Sequence, residues 1–385
     1  MKMNTIDPDH VAEAVAWRHD LHRHPELAFE ENRTADFVAS HLSKWGYDVK
    51  SGIGGTGVLA TLGEGGPAIG IRADMDALPI TEETGLPYAS NIPGKMHACG
   101  HDGHTATLLL AARHLAKHPP QSGRVHFIFQ PAEEGEAGAD AMIRDGVLDL
   151  APCEEIYALH NWPGLEIGTI SCLGGPMMAA FAVFDVTVRG KGSHAAMPHL
   201  GDPVVSAAAS IASMLQEQGS RRIDPLDPAV LSVTRIEAGS AYNVLPSSAT
   251  VSGTARWFSD TAGTTLERVV ETVSDAVGKA HGCEVKIDYR KRYPATVNTV
   301  TEAETIREIA AAVGHSIVDA GPSMASEDFA FFLEKCPGAY FWLGAGTRES
   351  GGSAPLHSPH FDYQDDLIGP GAELWVSLAY RQSNR

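Results

Sequence analysis

The stretch MHACGHDGHTA at residues 96–106 packs three histidines, a cysteine and an aspartate into eleven positions. Cys99 and His101 could place a thiolate and an imidazole on one metal ion. Two other readings stay open for these residues alone. Cys99 could be a nucleophile with a histidine base, or a buried, inert thiol in a polar loop. Glu133 and Glu134 come one residue after the apolar run RVHFIFQP. Adjacent acids at a strand end often only open a helix, where carboxylates favour the dipole. The chemical reading divides their labour: one ligates a metal and the other stays free as a general base. His160 closes EEIYALH, and His357 sits in LHSPHFD. A single histidine is more often structural than a ligand, but here the donors converge. Cys99, His101, one glutamate, His160 and His357 all fall on loops or strand ends of one pattern. Five donors suit two transition metals with room for a water. Such a pair, about 3.5–4 Å apart, generates hydroxide and polarises a carbonyl.

These residues need elements to position them. Residues 7–22 and 33–45 read as amphipathic helices, and GVLATLG and PAIGIRAD as strands. HTATLLLAARHLAKH reads as a helix, RVHFIFQP as a buried strand, and AEEGEAGADAMIRDG as a helix stopped by Gly146. EEIYALHNW is the next strand. Strands alternating with helices predict a mostly parallel sheet flanked by helices, an α/β fold. Ligands of such sheets bind outside the carboxyl ends of the strands, where Glu133, Glu134 and His160 fall.

The pattern changes near residue 180. FAVFDVTVRG, DPVVSAAASIASMLQEQ, AVLSVTRIEAG, ATVSGTARWF, TTLERVVETVSDAVGKAHG and CEVKIDYRKRYP run strand, helix, strand, strand, helix, strand. That order is the ferredoxin-like βαββαβ unit of a small α+β domain. A helix at 301–313, a short helix from Ser326, the strand GAYFWLGAG, the loop SAPLHSPHFD and a last helix resume the first pattern. The expected division is a catalytic domain at 1–179 and 293–385, interrupted by the inserted domain at 180–292.

The net charge is −19, from 29 basic and 48 acidic residues, and argues against nucleic-acid or anionic-membrane partners. No signal peptide or membrane span is legible. The five scattered cysteines, at 99, 153, 172, 283 and 336, form no disulfide framework. A cytoplasmic protein is expected.

Taken in order, nine segments resemble the aminoacylase/carboxypeptidase family of dinuclear metallopeptidases. The resemblance is to its branch of hippurate hydrolases, N-acyl-amino-acid amidohydrolases and auxin-conjugate hydrolases. The segments are HRHPELAFEE (22–31), IRADMDALPI (71–80), MHACGHDGHTA (96–106), FIFQPAEEG (127–135), ALHNWPG (158–164), GKGSHAAMPH (190–199), AYNVLP (241–246), SEDFAFF (326–332) and LHSPHFD (356–362). The resemblance implies a role for each matching residue. Cys99 is the bridging ligand, with His101, Glu134, His160 and His357 the others, for two divalent ions (Zn, Mn, Co or Ni) per subunit. Glu133 is the general base, and Asp74, Asp76 and His104 support the ligands. His194 reaches a partner subunit's site and stabilises the oxyanion. Asn243 and Arg256 hold the substrate carboxylate, a task suited to a guanidinium fork. On their own, Arg256 could be a surface residue of a strand, Asn243 a turn residue and His194 a surface histidine. Two departures stand out: only Leu200 and Gly201 separate His199 from Asp202, and Ala325 stands where glycine is usual. His199 has no assigned role.

The resemblance implies hydrolysis of N-acyl amino acids, carrying an acetyl, benzoyl or similar group, to a carboxylic acid and a free amino acid. Glu133 deprotonates a water held between the metals and returns the proton to the leaving amine. The inserted domain acts as a lid and makes a homodimer, or a higher oligomer. The alternatives are dipeptidase- or carboxypeptidase-like action of the same site, a Cys99 hydrolase indifferent to chelators, and an inactive binding protein on the same fold.

Overall fold

The computed structural model describes residues 6–347, 352 and 354–382. The chain divides into two compact units. One runs to Met177 and resumes over Thr296–Pro322 and from Asp328; the other spans Met178–Ala295 with Ser323–Glu327.

The first unit is built on an eight-stranded sheet. Its order is Asp48–Ile53, Gly57–Leu62, Arg124–Gln130, Ala68–Asp74, Glu155–Trp162, Gly338–Gly344, Thr169–Ser171, Ser316–Ile317. The four strands from Arg124–Gln130 to Gly338–Gly344 in this order are mutually parallel. Ala68–Asp74 and Gly338–Gly344 are buried at every residue, as strands covered on both faces must be. Their register pairs Asp74 with Gln130, Arg72 with Ala158 and His160 with Trp342. The chemistry-bearing residues therefore leave the sheet along one edge. The helices Pro8–Arg23 and Ile368–Gln382 both pack on His101–Lys117. That central helix is buried at every position from His101 to Ala112, so its apolar and small residues face protein all round.

The second unit is a four-stranded antiparallel sheet in the order Ala229–Ala238, Ser248–Trp257, Ala180–Arg189, Glu284–Tyr293. With the helices Val204–Arg222 and Asp260–His281 it has the βαββαβ order of a ferredoxin-like fold. Burial alternates residue by residue along Ala180–Arg189 and Ser248–Trp257, as one covered face requires. Leu266, Val269, Val270, Val273 and Val277 form the buried stripe of the second helix.

Three sequence readings need correction. The helix expected over AEEGEAGADAMIRDG is confined to Gly138–Arg144, because Ala132 and Ala137 take left-handed φ of 52° and 60°. Glu133 and Glu134 therefore lie on a strand-end loop. The short helix expected from Ser326 begins at Ala330, since the Asp328 carboxylate turns inward onto Arg72 and Gln130. Asp48–Ile53, Thr169–Ser171 and Ser316–Ile317 are further strands that the sequence pattern does not mark; they are short or lie at an edge, where apolar content is low. Of the loop SAPLHSPHFD, Ser353 lies outside the described residues. No helix among the described residues is long and apolar enough to cross a membrane.

Candidate metal centre

Cys99 and His101 flank Gly100, the N-cap of the buried His101–Lys117 helix, whose φ is 96°. A Cβ on Gly100 would stand 2.6 Å from Asn161 Oδ1, and one on Gly103 2.4 Å from the Tyr363 ring. Only glycine lets the helix start approach the Glu155–Trp162 strand at Gly100, and the Tyr363 ring at Gly103, this closely. His160 comes from that strand, Asp74 and Asp76 from the end of Ala68–Asp74 and the loop after it. Glu133 and Glu134 come from the loop after Arg124–Gln130. His357 has a φ of 64°, and its N–H bonds Ala98 O at 2.8 Å.

The donors meet in overlapping groups. The ligand atoms of Cys99, His101 and His160 lie within 4.8 Å of one another, as do those of Cys99, Glu134 and His357. Cys99 belongs to both sets. His101, Glu133 and Glu134 form a further group, and Asp74, His101 and His104 another. Cys99 Sγ is 3.4 Å from His160 Nε2, and Glu134 Oε1 is 3.3 Å from His357 Nε2.

The two buried imidazoles are oriented alike. His101 Nδ1 is 3.2 Å from Asp76 Oδ1, and His160 Nδ1 is 2.7 Å from the Asn161 carbonyl. Each Nε2 is thus left on the donor side, the arrangement of metal-binding histidines. His104 differs: Asp74 Oδ1 stands 2.6 Å from its Nδ1 and Asn161 Oδ1 2.7 Å from its Nε2. It supports neighbours rather than offering a nitrogen. Asp76 also accepts the Glu134 N–H at 2.9 Å, so one carboxylate touches two donor residues.

The electrostatics fit a cation. Burial alone lowers the His101 value, but Asp74, Asp76 and Glu134 outweigh it and lift it to about 10. Burial, then Glu134 and Glu133, push the Cys99 thiol well up. Burial, then His104, hold His160 well below its usual range. Despite burial, His101, Arg72 and His104 keep Asp74 well below the ordinary carboxylate range. His101 Nε2 is buried with no hydrogen-bond partner, and buried Glu134 Oε1 makes no contact of hydrogen-bond geometry, His357 at 3.3 Å included. Buried polar atoms without partners are costly, and a divalent ion would satisfy both. The donor set of sulfur, imidazole and carboxylate suits that ion.

His194, Asn243 and Arg256 belong to the second unit. His194 pairs with Val244 on a two-residue ladder, and Ala195 donates to the Asn243 carbonyl at 3.0 Å. His194 and Asn243 thereby line one open groove of about 660 Å³. Arg256 Nη1 donates to Met324 O at 2.9 Å and Ser326 Oγ at 3.0 Å, with its guanidinium 5.2 Å from the Phe181 ring centre.

Some residues around the centre escaped the sequence reading. Arg72 is wholly buried against Asp74 and Asp328. Its signal was visible as a lone charge inside the apolar run IGIR. His22 Nδ1 is 2.8 Å from Asp102 Oδ2, with Arg18 3.7 Å away, beneath the helix start. No spacing rule joins these three.

Comparison with known proteins agrees with this geometry. Residues 70–381 match the Peptidase family M20/M25/M40. The chain is 38% identical over 370 residues to an N-acetylcysteine deacetylase of Bacillus subtilis (strain 168), covering 95% of each. It is 36% identical over 369 residues to a hippurate hydrolase of Campylobacter jejuni, covering 94% of this chain and 95% of that one. The solved structure of the Bacillus subtilis YXEP protein, described as a dinuclear metal binding peptidase from the M20 family, superposes with a TM-score of 0.84 at 34% identity. That match covers 97% of this chain and 99% of the other. With a fold, a donor set and full-length relatives in agreement, the chain belongs to the peptidase family M20/M25/M40.

Proposed function

We propose that this protein is a metal-dependent amidohydrolase that cleaves N-acyl amino acids into a carboxylic acid and a free amino acid. The observation that carries the reading is the meeting of Cys99, His101 and His160 in one donor group and of Cys99, Glu134 and His357 in another, the two overlapping at Cys99, with Glu133 beside them. This suits two divalent ions sharing one thiolate; zinc, manganese, cobalt and nickel are all compatible with the donors. When bound, the ions lower the pKa of water and polarise the acyl carbonyl. Relatives named for N-acetylcysteine and hippurate support an N-acyl amino acid as substrate.

Glu133 takes the proton of the attacking water and delivers it to the leaving amine. Asp76 and Asp74 fix the imidazoles of His101 and His104, so the donors need no rearrangement during the reaction. Arg256 and Asn243 hold the substrate carboxylate, and His194 donates to the oxyanion. We assign His194 to the site of a partner subunit, with residues 180–292 as lid and dimerisation domain. All five cysteines are free, which suits a reducing compartment such as the cytoplasm.

The experiment is a panel of N-acyl amino acids assayed with each metal after chelation and reconstitution. Activity should vanish on chelation and return with metal. A fully active Glu133→Ala protein would sink the mechanism.

A further inference from the structure

Glu31 lies outside the donor groups and takes no direct part in the proposed proton transfer. Its side chain is wholly buried. Oε1 accepts two backbone N–H groups, from Phe29 at 3.1 Å and from Ala132 at 2.8 Å. Oε2 accepts the Thr56 hydroxyl at 2.5 Å. Phe29 and Ala132 are two of the four non-glycine residues with left-handed backbone among the described residues, at φ 61° and 52°. Residues with a Cβ disfavour that region and stay there only where their surroundings hold them. One carboxylate oxygen holds both.

Ala132 immediately precedes Glu133. Beyond it, Glu134 N–H goes to Asp76 Oδ2 and Ala139 N–H to Asp328 Oδ2, both at 2.9 Å. Three buried acids from distant parts of the chain therefore receive backbone donors of the segment that carries the general base. With those donors held, the loop does not wind into the helix that AEEGEAGADAMIRDG suggests.

We infer that Glu31 is a positioning residue for Glu133: its carboxylate fixes the strained turn at Ala132 from which Glu133 projects. The inference rests on the reading of Glu133 as general base. Glu31 is in none of the donor groups, and its link to Glu133 runs through the backbone of Ala132.

The test uses the metal-loaded full chain with N-acetyl and N-benzoyl amino acids. Glu31→Gln keeps an oxygen to receive both N–H groups and should retain most of kcat. Glu31→Ala removes it; kcat should fall about 100-fold, the effect of misplacing a reacting group by roughly an ångström. KM and metal content should stay unchanged. In a Glu133→Ala background, Glu31→Ala should cause no further loss, because both changes act on one proton transfer. Equal losses in the Gln and Ala variants, a loss that tracks metal content, or additive losses in the double variant would overturn the proposal. Amide hydrogen exchange gives a check free of activity and of any folding defect in Glu31→Ala. The Ala132 N–H of the unmutated protein should exchange slowly, and rapid exchange there overturns the clamp. An inactive Glu133→Ala beside a fully active Glu31→Ala overturns this inference alone; a fully active Glu133→Ala overturns the general-base reading and this one with it.

Discussion

Arg72 Nη1 lies 2.6 Å from Asp74 Oδ2, and both side chains are wholly buried. The same guanidinium donates to Gln130 Oε1 at 2.8 Å and to Asp328 Oδ1 at 3.0 Å. The other Asp74 oxygen is 2.6 Å from His104 Nδ1. A charged chain thus runs from beneath the sheet edge to the histidines of the helix start. Arg72→Met strands two buried carboxylates, Asp74 and Asp328. It should cost about 3–5 kcal/mol, the penalty for breaking a buried pair from one side. Urea unfolding of the metal-free protein measures it.

Cys99 is shared by two donor groups, whereas His160 and His357 each belong to one. Cys99→Ala should therefore lose both bound ions, while His160→Ala and His357→Ala should each lose one. Elemental analysis after reconstitution and gel filtration reads the difference. Equal loss in all three variants contradicts the shared thiolate.

The same residue separates metal chemistry from cysteine catalysis. Burial first, then Glu134 and Glu133, push the Cys99 thiol well up in the absence of metal. An uncharged, buried thiol is a poor nucleophile. Iodoacetamide should label Cys99 slowly in the chelated protein, as mass spectrometry of peptides would show. Rapid alkylation that abolishes activity would favour the nucleophile reading.

Glu133→Gln keeps the size of the side chain and removes its basicity. The expected loss in kcat is about 10²- to 10⁴-fold, the usual share of general acid–base catalysis, with metal content retained. Arg256→Met should instead raise KM about 10- to 100-fold, matching the roughly 1.5–3 kcal/mol of a charged hydrogen bond. An N-acyl amine without a carboxylate should show no difference between Arg256→Met and the unmutated enzyme.

His22 gives a pH dependence of known sign. Burial pulls its value down, but Asp102 and Glu82 outweigh burial and lift it from 6.5 to about 9. The protonated form is thus favoured by folding. Its contribution is complete below pH 6.5 and fades as pH rises through about 9. The shift corresponds to about 3 kcal/mol. The stability difference between the unmutated protein and His22→Gln should be large near pH 6 and small near pH 10, by urea unfolding at each pH. A difference that grows with pH would contradict the assignment.

Much of the fold was legible because its periods are local. Alternating burial in Ala180–Arg189 and the apolar stripe of Asp260–His281 follow from neighbours along the chain. The edge strands and the 131–137 loop were not, because no local pattern marks them. Ala132 and Ala137 are good helix formers, yet both take left-handed backbone, and at Ala132 the partner is the distant Glu31.

For the site, the sequence alone supplied the donor types, their order and their places on loops and strand ends. The family resemblance named Cys99, His101, Glu134, His160 and His357 as candidate ligands before any coordinates. The tertiary structure decided which donors meet, that Cys99 serves two groups, and that His104 has both nitrogens engaged. It also revealed Arg72 and Glu31 as charges that hold the strand-end segments, and Asp102 as the acid that ties His22 and Arg18 to the helix start. The physical reason is register. Donor identity is a property of one residue, but proximity depends on which strand ends adjoin and how their pairing aligns. That pairing is fixed by burial of both sheet faces over the whole unit.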